Sequence, residues 1–186
     1  PGGWRSGRRS WRRGARAVAE GMAEATHRDT GGATSRRGGR AFVVVALAAP
    51  LLVPVAVFMA VALASGMGVG GAIRALLEQS SGRRQNPVTV GILGLAPVGV
   101  LLAGLWAAGK RGLGPDRRRG AAWGGLAAIL LVLVWVNAQF WGLFLPDRVY
   151  PGFPHGLELV IGPLFFAPVA LVVGAVFGAL LAGSDP

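Results

Sequence analysis

The chain has 186 residues, 53% of them hydrophobic and only 15% charged, with 31 glycines, 12 prolines and a net charge of +11. A soluble domain carries about 25% charged residues, and here the charges are also segregated: residues 41–73, 85–109, 120–146 and 159–184 contain no ionisable side chain. Each of these blocks is apolar all round, which argues against a soluble four-helix protein, and the absence of cysteine excludes a disulfide framework, a thiolate nucleophile and a Cys-ligated metal or cluster.

Residues 1–40 hold ten arginines against Glu20, Glu24 and Asp29, a local balance of +7. The Gly, Ser and Arg content is too polar to bury a core, so this stretch is expected to be a disordered basic tail. No folded nucleic-acid motif accompanies it, so its expected partner is anionic lipid headgroups rather than nucleic acid. Met22 is an alternative start, and no function is assigned to residues 1–21.

The first span is expected at 41–66. Arg36 and Arg37 precede it and "ALA" at 62–64 closes it, the ingredients of an export signal. The apolar stretch is much longer than a signal's core, however, so a retained span is the expectation. After it comes "MGVGGAIRALLEQSSGRRQNP", in which residues 72–79 read as a short amphipathic helix lying in the membrane surface. Its glycine cluster lacks the Lys-Ser/Thr of a phosphate loop.

Spans two, three and four are expected at 87–109, 121–145 and 157–181, each long enough for a hydrocarbon core of about 30 Å. The predicted class is therefore an all-α integral membrane protein, a four-helix antiparallel bundle over 41–183. Placing the amino terminus and the loop "KRGLGPDRRRG" on one side collects Arg36, Arg37, Arg40, Lys110, Arg111, Arg117, Arg118 and Arg119 there. Arg74, Arg83, Arg84 and Arg148 fall on the other. This bias places both termini in the cytoplasm, in a bacterial inner membrane. Trp106 and Trp123 then mark the cytoplasmic interface, and Phe140, Trp141, Phe144, Tyr150 and Phe153 the opposite one, as anchoring rings.

Two segments resemble each other, "APVGVLLAGLWAA" at 96–108 and "APVALVVGAVFGA" at 167–179. Both carry small residues four apart: Gly99, Ala103 and Ala107 in one, Ala170, Gly174 and Gly178 in the other. Such stripes let helix backbones approach closely in lipid, so these six are the candidate packing residues. Prolines inside three spans, Pro50 and Pro54, Pro97, then Pro163 and Pro168, each remove a backbone donor and predict kinks.

Candidate chemistry is sparse. Asn137 and Gln139 interrupt the apolar run of span three, about 200° apart around a helix. Together with Asp147, Arg148, His155 and Glu158 they define a candidate polar cluster at the outer mouth. One amide is expected to bond a neighbouring helix and the other to reach interfacial water. His155 and Glu158, spaced i, i+3, could form an acid/base or metal pair, but zinc sites need three or four ligands, so no metal, cofactor or catalytic residue is assigned. No ionisable group lies deep in a span, which disfavours a self-sufficient ion-driven transporter. The expected function is a non-catalytic structural or accessory subunit packing within a homo-oligomer or larger membrane assembly. A small permease or channel component is the alternative, and a membrane enzyme using His155 and Glu158 a more distant one.

Overall fold

A computed structural model describes residues 38–81, 86–147 and 156–183, and all regular structure in them is helical. Two compact units meet between Val44 and Val45. The first contributes only the opening of α1 (Gly38–Ala64) to the described residues; everything that follows concerns the second. There α1 is followed by α2 (Val69–Ser80), α3 (Pro87–Leu93), α4 (Leu95–Lys110), α5 (Pro115–Asp147) and α6 (Glu158–Ile161). A π-helical turn over Gly162–Phe166 then leads into α7 (Ala167–Leu181).

Among the described residues, four helical stretches are long and apolar enough to cross a membrane: Gly38–Ala64, Pro87–Lys110, Pro115–Pro146 and Glu158–Leu181. The chain is thus a multi-pass membrane protein by length and composition. The expected spans match these stretches except at the third, which starts six residues earlier than its expected opening at 121. Pro115 opens that helix with its φ already helical and its missing N–H harmless. Hydropathy marks only the part in lipid, whereas the helix runs on into water through Asp116 and three arginines.

Backbone donors missing at proline account for the local interruptions. Pro97 leaves the Leu93 carbonyl without its helical donor, and the second span is divided there, with α3 ending at Leu93 and α4 starting at Leu95. Pro163 lies within, and Pro168 just after, the turn whose carbonyl–amide spacing widens to i+5, closed by the Ala167 N–H donating to the Gly162 carbonyl. Pro54 likewise deprives the Pro50 carbonyl of its partner, while α1 continues unbroken. Both prolines are fully buried. A methyl group placed on Gly91 would stand 3.2 Å from that carbonyl oxygen and 3.0 Å from Leu51 Cα. Glycine at 91 therefore lets the second span close over the bare carbonyl of the first.

The core has two parts. Near the carboxyl end of α5, Phe58 of α1 meets Trp141 edge-on with ring centroids 4.9 Å apart, and Phe140 meets the same indole at 4.7 Å. Phe144 stacks on Phe140 at 5.9 Å. Ala62, Ala72, Val90, Val136, Leu145 and Leu159 complete this cluster. The three α5 rings expected to anchor at an interface are thus interior, because they follow the i, i+3, i+4 stripe that also carries buried Val136 and Asn137. Trp106 and Trp123 are exposed, as anchoring rings would be; Tyr150 and Phe153 lie outside the described residues.

The second part is a contact between α5 and α7 in which glycines bring the two backbones together. A methyl on Gly120 would overlap the Gly178 carbonyl oxygen, and one on Gly124 that of Gly174. Residue numbers rise along one helix as they fall along the other, so the two run antiparallel. Each helix thus presents a Gly-x-x-x-Gly pair to the other, and close backbone approach supplies dispersion contact over a surface that lipid would otherwise cover.

Candidate functional site

The polar residues at the end of α5 do not converge. Asn137 is completely buried. Its Nδ2 donates to the Leu133 carbonyl at 2.8 Å, and its Oδ1 accepts from Trp141 Nε1 at 3.3 Å. Both ends of the amide are therefore engaged inside its own helix, one turn back and one turn forward, rather than with a neighbouring span. The amide neutralises the indole N–H that the aromatic cluster would otherwise bury without a partner. Gln139 lies on the exposed face of α5, consistent with its angular distance from Asn137.

Glu158 is half-buried, and its Oε2 accepts from the Gly156 N–H at 2.9 Å. It closes the turn that enters α6, with Gly156 at φ +93°, a left-handed conformation that favours glycine. Arg148 and His155 lie outside the described residues, and so does the side chain of Asp147. Among the described residues, no group of three or more His, Cys, Asp or Glu side chains could hold a metal ion.

One buried polar group stands apart. Gln79, on the inner face of α2, is buried, and its Nε2 has no hydrogen-bond partner among the described residues. The expected surface helix thus runs from Val69 to Ser80 and turns Ala72 and Gln79 inward. Val69, Ile73 and Leu77, four residues apart, form an exposed apolar stripe on it.

The candidate packing residues divide sharply between the two spans. Gly174 and Gly178 lie in the seam against Gly124 and Gly120, and a methyl on Gly174 would also crowd Ala128 Cβ at 2.6 Å. Ala170, one turn before, is half-buried. On α4, by contrast, Gly99 and Ala103 are exposed and Ala107 is half-buried. Among the described residues, nothing lies within 4 Å of a methyl placed on Gly99 or on Gly104. The partners of the α7 stripe, Gly120 and Gly124, escape a reading that compares spans two and four only with each other. Their signal, "GAAWG" at 120–124, is present in the sequence at the amino-terminal edge of span three.

Charge gathers at the opposite end of the molecule from the aromatic cluster. The first turn of α5 carries Arg117, Arg118 and Arg119. Cations are unfavourable at a helix amino terminus but favourable at a carboxyl terminus, and the side chains fan out accordingly. A methyl on Gly183, just past α7, would meet Arg117 Nε at 2.6 Å, and one on Gly109, in the last turn of α4, would meet an Arg118 Nη at 2.8 Å. Two guanidinium groups therefore lie over the carboxyl ends of the two helices flanking α5, each contributing about 0.3–1 kcal/mol. Lys110 Nζ sits 3.8 Å from the centre of the Trp106 ring.

Two open cavities lie at this same end. One, of about 430 Å³, is lined by Asp116, Arg119, Gly120, Trp123, Ala182 and Gly183. The other, of about 500 Å³, runs along Gly104, Ala107, Ala108, Arg111, Gly112 and Leu113. No protein-family model matches the chain, and neither a curated protein nor a solved structure is similar to it.

Proposed function

We propose that this protein is a non-catalytic integral membrane subunit that packs within a homo-oligomer or a larger membrane assembly. The four spans form an antiparallel bundle bent at its prolines, in a bacterial inner membrane with both termini in the cytoplasm. The basic amino-terminal tail rests on anionic headgroups there. The observation that carries the reading is the outward face of α4. Gly99, Ala103 and Gly104 are exposed, and among the described residues nothing lies within 4 Å of a methyl placed on either glycine, while Gly174 and Gly178 of α7 meet their partners inside the chain. Lipid tails fill such a groove less well than another helix does, because small residues admit a backbone at close range.

The test is assembly size in mild detergent. Changing Gly99 and Ala103 together to leucine is expected to dissociate the complex while leaving the folded monomer intact. An unchanged size refutes the proposal. A permease with its mouth near Asn137 competes with it, and requires that amide to meet a substrate. Both ends of the amide are bonded within α5, which favours the packing reading. Liposome flux lost on combining Asn137→Leu with Glu158→Ala would reverse that preference.

A further inference from the structure

We propose that the cavity between the first turns of α5 and the end of α7 binds the headgroup of an amine-bearing zwitterionic phospholipid, one with a primary ammonium and a phosphodiester. Asp116, Arg119 and Trp123 all line it. Their spacing of i, i+3 and i+7 puts them in one row along α5, and all are exposed to whatever fills the cavity.

The order of the three along the helix decides the ligand. Residues 120–146 carry no ionisable side chain, so the hydrocarbon boundary falls just after Arg119. At 1.5 Å per residue, Asp116 stands about 4.5 Å farther into water and Trp123 about 6 Å farther into the membrane. A phosphatidylethanolamine molecule presents its groups in the same sequence. Its ammonium is outermost, its phosphate next, and its glycerol and acyl esters lie deepest. The carboxylate therefore meets the ammonium, the guanidinium meets the phosphate, and the indole lies beside the glycerol, where its amphipathic ring is favoured. A guanidinium grips phosphate through paired N–H donors.

The far wall is compact enough to admit the lipid. Gly120, Ala182 and Gly183 contribute almost no side-chain volume. Arg117 lies against Gly183 at the rim, and Arg119 is the guanidinium that lines the cavity. A lipid whose headgroup is purely anionic leaves Asp116 facing a neutral diol or a second negative charge. A choline headgroup presents methyl groups, which cannot donate to the carboxylate.

The experiment uses the full chain purified in mild detergent. Lipids that differ only at the amine are titrated one at a time, and retained lipid is counted by native mass spectrometry. The series runs from phosphatidylethanolamine through its mono- and dimethyl forms to phosphatidylcholine, with phosphatidylglycerol as the anionic arm. Loss of the charge-assisted hydrogen bonds predicts affinity about tenfold lower for choline than for ethanolamine. Asp116→Asn is expected to flatten the series to within about twofold, Asp116→Glu to restore it, and Arg119→Gln to weaken every member about tenfold. A flat series in the unaltered protein overturns the proposal, since Asp116 and Arg119 would then be occupied with each other. Tighter binding of phosphatidylglycerol than of phosphatidylethanolamine overturns it too, by showing an unselective basic patch. The wild-type series alone decides the question should a variant fail to fold.

Discussion

Adding one methyl group to the glycine seam should move α5 and α7 apart, and the size of the effect follows from the geometry. In Gly124→Ala the new carbon overlaps the Gly174 carbonyl oxygen and stands 3.1 Å from both the Gly174 carbonyl carbon and Gly178 Cα. All three are backbone atoms, so no side chain can rotate away and the helices themselves must retreat. Overpacking of this kind costs about 1–3 kcal/mol. Alanine also raises helix propensity by about 1 kcal/mol over glycine, which confounds a measurement of one variant alone. Gly142→Ala supplies the reference. It lies on the same helix, and among the described residues nothing stands within 4 Å of its added methyl, so the propensity gain cancels in the comparison. The difference, Gly124→Ala less stable by about 1–3 kcal/mol, corresponds to roughly 2–12 °C in Tm. Thermal unfolding in mild detergent, followed by circular dichroism, reads it directly. Equal stability of the two variants would refute a backbone-to-backbone contact between α5 and α7.

Other expectations concern the polar groups. Asn137→Leu removes the acceptor of a buried indole N–H and should destabilise by about 1–3 kcal/mol; Trp141→Phe in the same background should recover part of that loss, and a double-mutant cycle in denaturant measures the coupling. Glu158→Gln weakens the hydrogen bond that closes the turn at Gly156 and should cost about 0.5–1.5 kcal/mol, with no change in bound metal by elemental analysis. Arg117→Gln should lower stability by about 0.3–1 kcal/mol at low ionic strength, with the difference shrinking as salt is raised. A large, salt-independent loss would place Arg117 in a role other than compensating the end of α7.

The spans were legible because ionisable residues are excluded from lipid, and that exclusion leaves sharp edges in the sequence at Arg40, Lys110 and Glu158. The third span shows the limit of the argument: its helix continues into water, where hydropathy is silent and only Pro115 marks the start. The amides at 137 and 139 were visible as anomalies, but not their partners. Asparagine can bond its own helix, a neighbour or water with equal chemical ease, and sequence does not say which carbonyl lies nearest. The α5 aromatics show the same ambiguity. A ring near the end of a span can anchor in headgroups or fill a core, and the choice depends on what packs above it, here Phe58 and α2. The small-residue stripes were legible as stripes. Which of them meets a partner inside the chain was not, because Gly120 and Gly124 sit at the edge of their span, where small residues also serve as loop.

The closed hydrogen-bond chain from Leu133 through Asn137 to Trp141 bears on how the protein is made. A transmembrane segment leaving the insertion machinery must shield its polar atoms before its later companions exist. The third span carries that shielding for Asn137 and Trp141 within itself, so these two groups need no later helix to satisfy them. The glycine seam against α7 then asks neither Asn137 nor Trp141 to change partner when the last helix docks.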